Sequence, residues 1–455
     1  MEKSNFIKSK QKIHFIGIGG VSMSALAKHL KKHGYYVTGS DICTDLKDEL
    51  TSLGIEFIPY HHEKNVENST AVIYSSAISE DNVELVSARK SGALVIKRSV
   101  LLGMIAKQYR YSIGISGSHG KTTCTSMLAH IFRCSNKQPT VFLGGVDKAF
   151  NNYCFGKKEY IIAEVCEYKK NLLDLRVDTA VILNIDNDHL DSYSNMVDMI
   201  TTFEKFSKNS LIITNADDEN CRSVFNNKTI TFGINKSADF MAKRIIKNNI
   251  GYSFTCYAYG QRLGRINLKI MGKHNVYNAL SAIAVANYYK IPFEYQKLAL
   301  ENFLGVDRRN EYLGKIYNLY AYADYAHHPK ELSATINAFN EKEEKYITVF
   351  QPHTYSRTKF LMQDFIDALI NQQDLIILDT YSAREKYDES GSAKTLCQNM
   401  VNSGKKDIYF VQDEDELKLK IEQIKSDNQS ILFLGAGDIY QKAKKIIFDN
   451  KNNKN

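Results

Sequence analysis

The sequence predicts an α/β protein of three domains with mainly parallel sheets, of which the first and the last are Rossmann-like. Short apolar stretches alternate with longer stretches of helical periodicity, which is the pattern of strand–helix–strand units. Many of these apolar stretches end in glycine or polar residues, as parallel strands do at a ligand-binding edge. The pattern starts again twice, so we expect the 455 residues to divide into domains at 1–107, 108–311 and 312–455.

The composition favours a soluble, cytoplasmic protein. The chain is 44% hydrophobic and 24% charged, and no apolar run approaches the roughly 20 residues that span a bilayer. The first residues lack the apolar core of a signal peptide. The eight cysteines are scattered without a C-x-x-C pair, which indicates reduced thiols. The net charge of +8 suits anionic substrates, but acids separate the basic residues, so nucleic acid is not an expected partner.

The first domain opens with a glycine turn of the kind that binds a dinucleotide. A strand at 13–16 runs into Gly17-Ile-Gly-Gly20, a helix follows, and the next strand ends in Asp41, about twenty residues beyond the turn. In this fingerprint the glycines admit a pyrophosphate and the acid contacts a ribose. The third glycine is missing near Ser22, so a purely structural turn of a parallel sheet is the alternative.

The central domain opens with a phosphate-binding loop. A strand at 111–115 leads into Gly117-Ser-His-Gly-Lys-Thr-Thr123, and a helical pattern follows. Glycines let several N–H groups converge on one anion, and the helix N-terminus adds a positive end. Lys121 can reach the outer phosphates and the Thr122 hydroxyl can ligate Mg²⁺, which favours a P-loop-type ATPase domain. Because an isoleucine replaces the first glycine of the usual motif, the alternative is a glycine-rich turn with an incidental lysine.

Two further strands of this domain end near groups that ligate metals. Glu164 lies near the end of one apolar strand, and the strand at 180–185 leads into Asp188 and His189. Ligands of open parallel sheets gather beyond the carboxyl ends of the strands, so these groups are expected near the phosphate loop. A carboxylate, an imidazole and the Thr122 hydroxyl are a suitable set for Mg²⁺. A hydrogen-bonded structural histidine is the alternative for His189.

Later segments add a helix and a second polar edge. The helix at 271–286 places His274 and Asn278 on one side of its first turn, where capping is the favoured explanation. The third domain has strands at 319–324, 346–350, 374–378 and 430–434, each followed by a polar loop. These loops carry His327, His328, His353 and Arg357.

An ordered set of eight motifs resembles the Mur ligase family over nearly the whole chain. The motifs are Gly17-x-Gly-Gly20, Gly117-Ser-His-Gly-Lys-Thr-Thr123, Asn184-Ile-Asp-Asn-Asp-His189, Gly272-Lys-His-Asn-Val-Tyr-Asn278, Gly305-Val-x-Arg-Arg309, Asp324-Tyr-Ala-His-His-Pro329, Phe350-Gln-Pro-His-Thr-Tyr-Ser-Arg-Thr358 and Gly435-Ala-Gly-Asp438. The resemblance implies an ATP-dependent ligase of peptidoglycan biosynthesis, a monomer or homodimer, that joins L-alanine to UDP-N-acetylmuramate with Mg²⁺ as metal.

The resemblance also implies a role for individual residues, with Lys121, His189 and His328 as the catalytic set. The expected ATP contacts are Gly117, Ser118, His119, Gly120, Lys121, Thr122, Thr123, Asn275, Arg309 and Asp324. The expected metal ligands are Thr122, Glu164 and His189. The expected contacts to the UDP-sugar are Gly19, Asp41, Ser75, Ser76 and Arg98. The amino acid is expected at His328, Tyr355 and Arg357. The loop Ala383-Arg-Glu385 departs from the common family pattern.

Three alternative functions remain open at this stage. The nearest is a related ligase that attaches a recycled tripeptide to the same sugar nucleotide, although the motif at 350–358 favours alanine. The second is an NAD-dependent oxidoreductase, which the glycine turn and Asp41 suggest, but which leaves the phosphate loop without a use. The third is a nucleotide-binding switch, which does not need the histidines and arginine of the last domain.

Overall fold

The structure, a computed structural model, describes residues 11–186, 192–248, 251–340, 345–383, 385–425 and 429–452. The predicted Asp188, His189 and Arg384 lie outside these residues. The chain divides into two compact units. The first contains Met1–Ile246, Ser253–Leu268 and Asn275–Leu304, and the second contains Lys247–Tyr252, Lys269–His274 and Gly305–Asn455. Among the described residues, no helix combines the length and the apolar character that a membrane crossing requires.

The first unit begins with a parallel sheet and its helices. The strands are β1 (Lys12–Ile16), β2 (Tyr36–Ser40), β3 (Glu56–Ile58), β4 (Ala71–Tyr74) and β5 (Leu94–Lys97). The helices are α1 (Val21–Lys32), α2 (Lys47–Ser52), α3 (Val83–Lys90) and α4 (Arg98–Ala106). The strand order is β3-β2-β1-β4-β5, and all four pairs of neighbouring strands are parallel. The connections therefore change direction between β1 and β4, and such a switch point is where open α/β sheets bind ligands.

A larger sheet follows, and nearly all of its residues belong to the same unit. Its strands are β6 (Tyr111–Ser116), β7 (Thr140–Asp147), β8 (Asn151–Cys154), β9 (Tyr160–Glu164), β10 (Thr179–Ile182), β11 (Leu211–Asn215), β12 (Thr229–Gly233), β13 (Phe240–Asn248), β14 (Gly251–Ala258) and β15 (Gln261–Leu268). The helices are α5 (Lys121–Cys134), α6 (Met196–Ser207), α7 (His274–Tyr288) and α8 (Phe293–Glu301). The strand order is β15-β14-β13-β12-β11-β10-β6-β9-β7-β8.

The phosphate loop joins the centre of this sheet to a buried helix. Strand β6 pairs in parallel with both β9 and β10, so the ends of the three strands meet at one edge. Helix α5 packs against α8, and a side chain of α5 also contacts α7. The Sγ atom of Cys124 and the Oγ atom of Ser281 lie 3.0 Å apart, although 157 residues separate them in the chain.

The second unit contains the third sheet. Its strands are β16 (Glu311–Ile316), β17 (Leu319–Asp324), β18 (Tyr346–Phe350), β19 (Leu375–Leu378), β20 (Ile408–Val411) and β21 (Ser430–Leu434). The helices are α9 (Pro329–Asn340), α10 (Tyr355–Phe360), α11 (Met362–Leu369), α12 (Ala393–Asn402), α13 (Glu414–Ile424) and α14 (Ile439–Asn452). The strand order is β16-β17-β21-β18-β19-β20; β16 is antiparallel to β17, and the other neighbouring strands are parallel.

The predicted α/β class with mainly parallel sheets is confirmed, and the predicted central strands coincide with observed ones. Ten of the strands in the described residues were not predicted from the sequence: β3, β7, β8, β11, β12, β13, β14, β15, β16 and β20. Strand β3 has only three residues, and β8 is rich in asparagine, a residue that strands disfavour. The exact domain boundaries stay a prediction, because the two compact units do not separate the first two sheets.

Candidate functional site

The phosphate loop connects β6 to α5 through two glycines in the left-handed region. Gly117 has a φ of +131° and Gly120 a φ of +84°. A Cβ atom on Gly117 would lie 3.0 Å from the carbonyl oxygen of Asn184, and one on Gly120 would lie 2.5 Å from Oδ1 of Asn278. Larger residues are therefore excluded by backbone strain and by lack of space.

Asn184, directly after β10, holds the loop from the neighbouring strand. Its side chain accepts a hydrogen bond from the His119 N–H at 2.8 Å and donates one to the His119 carbonyl at 3.0 Å. Its carbonyl accepts the Ser118 N–H at 3.1 Å. The loop conformation is thus fixed by the protein itself, which lowers the entropy cost of binding a phosphate chain.

Lys121 lies folded against the loop. Its ammonium donates to the carbonyl oxygens of Gly117 at 2.6 Å and Ser118 at 2.9 Å, and to Oε1 of Glu167 at 3.0 Å. Burial alone would lower the pKa of Lys121, but the nearby Glu167 and other acidic groups outweigh it, so the pKa lies above its usual value. The lysine therefore keeps its charge, as a phosphate ligand must. Sequence reasoning gave Glu167 no role, although its position three residues after Glu164 was a usable signal.

Thr122 and Glu164 meet beside the loop, as the sequence predicted. The Thr122 hydroxyl donates to Oε2 of Glu164 at 2.8 Å, and the Gly144 N–H donates to the same oxygen at 2.8 Å. A hydroxyl and a carboxylate are oxygen donors that fit Mg²⁺. The third predicted ligand, His189, lies outside the described residues. Within those residues no cluster of three or more histidine, cysteine or acidic side chains could hold a metal.

The first turn of α7 lies against the loop. Asn278 donates through Nδ2 to Oδ1 of Asn275 at 2.9 Å, and both side chains are buried. Tyr277, between them, donates its hydroxyl to Oδ2 of Asp217 at 2.8 Å. Asp217 also accepts the backbone N–H of Lys236 at 2.6 Å. Asp217 thus fixes a second loop next to this turn, a role that nothing in its local sequence indicated.

The predicted UDP-sugar residues follow the carboxyl ends of β1, β2, β4 and β5 in the first sheet. Asp41, at the end of β2, accepts the Gly19 N–H through Oδ2 at 2.9 Å and the Cys43 N–H through Oδ1 at 3.0 Å. Its carboxylate therefore closes the glycine turn directly. On the other side of the switch point, Ser75 Oγ accepts the N–H of Ala77 at 3.2 Å.

A cavity connects this first sheet to the phosphate-loop region. Its walls carry Ser22, Leu26, Arg98, Leu102, Phe142, Leu143 and Glu164. The predicted UDP-sugar contact Arg98 and the predicted metal ligand Glu164 therefore face one cavity. One wall of the cavity therefore carries a guanidinium and another a carboxylate.

In the second unit, three of the motifs meet at the carboxyl ends of adjacent strands. Gln351, after β18, donates to Oδ1 of Asp438 at 2.7 Å and accepts the Ile439 N–H at 3.0 Å. Asp324, at the end of β17, accepts the N–H groups of Asn310 at 2.7 Å and Ala326 at 2.8 Å. Burial raises the pKa of Asp324, while Arg309 and these N–H groups oppose that rise. In this structure Asp324 organises the backbone around it.

One of the predicted amino-acid residues, Arg357, contacts a half-buried histidine, His353. Arg357 lies with Nη1 3.2 Å from Nδ1 of His353, and His353 stacks on Tyr381 with ring centroids 5.6 Å apart. Burial, with the charges of His327 and Arg357, lowers the pKa of His353 to about 3. The neutral imidazole can therefore orient Arg357 by accepting its hydrogen bond. Tyr355 is buried at the start of α10.

His328 and the preceding loop complete this edge. His328 is only 3% exposed and lies just before α9, which begins at Pro329 as predicted. The neighbouring His327 lies with Nδ1 3.2 Å from Oε2 of Glu331. The other predicted contact, Arg309, lies over the Tyr325 ring at 5.3 Å.

The unusual loop at 383–385 has a structural role in its described part. Glu385 accepts the backbone N–H of Ser356 at 2.9 Å, and the Ser356 hydroxyl also donates to its carboxylate. The acid thereby satisfies a donor in the first turn of α10. It fixes the segment between Tyr355 and Arg357.

Three family models match consecutive parts of the chain. They are the Mur ligase catalytic domain at residues 12–110, the Mur ligase middle domain at 115–286, and the glutamate ligase domain of Mur ligases at 308–437. These ranges contain the glycine turn, the phosphate loop and the polar residues at the carboxyl ends of the strands in the second unit.

Named relatives match almost the whole length. A UDP-N-acetylmuramate–L-alanine ligase of Clostridium acetobutylicum is 41% identical, over 95% of this chain and 96% of the relative. One from Caldanaerobacter subterraneus subsp. tengcongensis is 38% identical, over 97% and 98%. The crystal structure of a UDP-N-acetylmuramate-alanine ligase from Thermotoga maritima superposes with a TM-score of 0.84 at 30% identity, covering 97% of this chain and 99% of that one.

A murein peptide ligase from Psychrobacter arcticus shares the fold, with a TM-score of 0.76 at 21% identity over 97% of this chain and 99% of that one. The family models together cover most of the chain, and the relatives exceed 30% identity over nearly all of it. The chain belongs to the Mur ligase family.

Proposed function

We propose that this protein is an ADP-forming ligase that joins L-alanine to UDP-N-acetylmuramate. The products are UDP-N-acetylmuramoyl-L-alanine, ADP and phosphate, and the reaction belongs to cytoplasmic peptidoglycan biosynthesis. The observation that carries the proposal is the charged Lys121 on a fixed phosphate loop, next to the Thr122–Glu164 pair. The relatives that match over the whole chain support the same reaction.

The first step is transfer of the γ-phosphoryl group of ATP to the muramate carboxylate. A carboxylate is a poor acylating agent because its oxygen is a poor leaving group. In the acyl phosphate this oxygen carries the phosphoryl group and departs as phosphate, which is a good leaving group. The ammonium of Lys121 and the N–H groups of the loop stabilise charge on the transferred group. Thr122, Glu164 and His189 would hold Mg²⁺, which supplies further charge neutralisation at the phosphates.

The second step is attack of the alanine amine on the acyl phosphate, with release of inorganic phosphate. The amine must lose a proton, and His328 is the assigned acceptor. Arg357 and Tyr355 are assigned to the alanine carboxylate, since a guanidinium can bind a carboxylate through two parallel hydrogen bonds. Asn275, Asp324 and Arg309 are assigned to ATP. We assign the ranges 1–107, 108–311 and 312–455 to the sugar nucleotide, ATP and the amino acid.

The test is phosphate release from ATP with UDP-N-acetylmuramate and a set of amines. L-Alanine, glycine, L-serine and a murein tripeptide are supplied separately, and the product is identified by mass. We expect release with L-alanine and a mass gain of one alanine residue. Release only with the tripeptide would favour the recycling reaction instead, and no release with any amine would overturn the ligase assignment.

A variant links the reaction to the loop. Lys121→Ala is expected to abolish the product while the sugar nucleotide still binds, because Lys121 serves the phosphoryl group and not the UDP part. Normal turnover by this variant would contradict the assignment of the loop.

A further inference from the structure

A short 3₁₀ segment, Tyr168–Asp174, leads from the phosphate-loop region to the first sheet. It begins directly after Glu167, the partner of Lys121. Two of its residues have left-handed backbone angles, with a φ of +49° at Lys169 and +56° at Lys170. Such angles cost energy for a residue with a side chain. The segment therefore holds two adjacent lysines in a conformation that the local sequence does not favour.

Asn171 fixes this segment at the switch point of the first sheet. Its Oδ1 accepts the hydroxyl of Ser76, after β4, at 3.2 Å and the hydroxyl of Ser99, in the first turn of α4, at 3.3 Å. Ser99 also donates to Asp174 at 2.6 Å. Asn171 is 5% exposed, so these bonds are protected from water. The position of Lys169 relative to the first sheet is thereby determined.

The two lysines point to different partners. Lys170 donates to both carboxylate oxygens of Asp198, at 2.7 and 2.9 Å, so its charge is neutralised by an acid. Lys169 is exposed and donates to the neutral carbonyl oxygen of Ser76 at 3.0 Å. Its ammonium also lies 5.5 Å from the centre of the Tyr168 ring. The positive charge of Lys169 therefore stands at the loop that follows β4.

That loop forms one side of the crevice between β1 and β4. A Cβ atom built on Gly17 would lie 3.9 Å from Cβ of Ser75, so the glycine turn and the serine loop face each other closely. On the side of the turn, α1 has no acidic residue in its first turn. The carboxylate of Asp41 is engaged by two N–H groups. One side of the crevice thus has a helix N-terminus, which favours anions, and the loop on the other side carries the bound ammonium of Lys169.

We infer that Lys169 binds the diphosphate of the sugar nucleotide and is a cation that the middle part of the chain contributes to the N-terminal crevice. This inference rests on the proposed function. The diphosphate of a nucleotide is negatively charged, and the glycine turn leaves space for it. A lysine beside this crevice adds a charge-assisted hydrogen bond. Through Lys169, substrate binding in the crevice is linked to the 3₁₀ segment that directly follows Glu167.

Three variants separate the charge from the fold. Lys169→Gln keeps a donor for the Ser76 carbonyl but removes the charge. Lys169→Gly removes the side chain at a backbone angle that glycine adopts freely, so folding is preserved. Lys170→Gln is the matched control, since it changes the neighbouring lysine at a similar backbone angle.

The measurements are the KM values for UDP-N-acetylmuramate and ATP, together with calorimetric binding of UDP and uridine at two salt concentrations. Both Lys169 variants are expected to raise the KM for the sugar nucleotide about tenfold, as loss of one charge-assisted bond does, and to leave the KM for ATP unchanged. UDP binding should weaken and depend less on salt, whereas uridine binding and the Lys170→Gln protein should stay as in the unmodified protein.

The outcomes distinguish the inference from the proposed function. If UDP binds equally well to the unmodified protein and to Lys169→Gln, Lys169 has no role in the diphosphate site while the proposed ligase activity stands. An equal loss in Lys170→Gln would also overturn the inference, because it would indicate a general effect on the segment. If the unmodified protein neither binds UDP nor uses UDP-N-acetylmuramate, both the inference and the proposed function are wrong.

Discussion

The ammonium of Lys121 lies 3.0 Å from Oε1 of Glu167, and the Glu167 side chain is fully buried. A buried carboxylate without a cation is strongly destabilising, so each partner depends on the other. The Tyr193 hydroxyl donates to the Glu167 carbonyl at 2.6 Å and holds the backbone of the acid. The pair therefore places the lysine on the phosphate loop and keeps it charged.

The first prediction is that Lys121 and Glu167 are energetically coupled. Lys121→Met leaves the buried carboxylate without its cation and should lower the free energy of unfolding by about 3–5 kcal/mol. Glu167→Gln should cost less, since two carbonyls still accept from the ammonium. The double variant should lose less than the sum of the two by at least about 1 kcal/mol. Urea unfolding of the four proteins measures this coupling, and additive losses would show that the pair is not a unit.

The second prediction concerns the space beside Glu164. A Cβ atom on Gly144 would lie 2.6 Å from Oε1 of Glu164, so Gly144→Ala should displace this carboxylate. The Mg²⁺ concentration for half-maximal phosphate release should then rise by about tenfold or more, as for other changes that misplace a metal ligand. Gly233→Ala is the control, because its nearest neighbour lies at an ordinary 3.4 Å. An unchanged Mg²⁺ requirement in Gly144→Ala would remove Glu164 from the metal site.

The third prediction concerns the amino acid. Arg357→Lys should raise the KM for L-alanine by about tenfold or more, because a lysine cannot make the two parallel bonds of a guanidinium. The KM values for ATP and UDP-N-acetylmuramate should change little. The control is Lys359→Gln, two residues along the same helix, where the lysine pairs with Asp388 at 3.1 Å. Steady-state kinetics with each substrate varied in turn gives the comparison; a parallel rise in all three KM values would refute a specific role.

The fourth prediction is a pH dependence of stability from His29. Burial and the nearby His33 lower the pKa of His29 from 6.5 to about 3. Between about pH 3 and pH 6.5 the unfolded chain therefore binds a proton at His29 that the folded chain does not bind. The free energy of unfolding consequently falls as the pH decreases below 6.5. Between pH 7 and pH 5 the loss from this group is about 2 kcal/mol.

The His29→Gln variant isolates this contribution. Its Tyr153 neighbour, 2.9 Å from Nδ1 of His29, can still find a hydrogen-bond partner in glutamine. The stability difference between the variant and the unmodified protein should shrink by about 2 kcal/mol between pH 7 and pH 5 in urea unfolding. A constant difference between His29→Gln and the unmodified protein over this pH range would contradict the prediction.

Much of the fold was predictable because its central strands are buried on both faces and end in glycines or acids. Strand β6 and the loop after it could be predicted from one continuous motif, because the loop conformation requires glycine at 117 and 120. The edge strands were not predictable in the same way. Strand β16 contains a glycine and a bulge between Tyr312 and Gly314, which interrupt any alternating pattern.

The site was predictable where its residues share a local motif and unpredictable where distant segments meet. The Thr122–Glu164 contact follows from two neighbouring parallel strands. The hydrogen bond from Asn152 to the Ser24 hydroxyl, at 2.8 Å, joins residues 128 positions apart. The sequence around either residue does not predict this contact. The same holds for Lys169, whose neighbours in sequence gave no reason to place it at the first sheet.

The contact between Cys124 and Ser281 has a consequence for how the protein is made. A ribosome adds about 5–20 residues per second, so α7 emerges roughly 8–30 s after α5. During that interval the nascent phosphate loop lacks α7, including the Asn278 side chain that faces Gly120. The part of α5 around Cys124 therefore lacks its contact with α7 until the chain has grown by a further 157 residues. Completion of the surroundings of the phosphate loop is therefore a late event in the synthesis of the first unit.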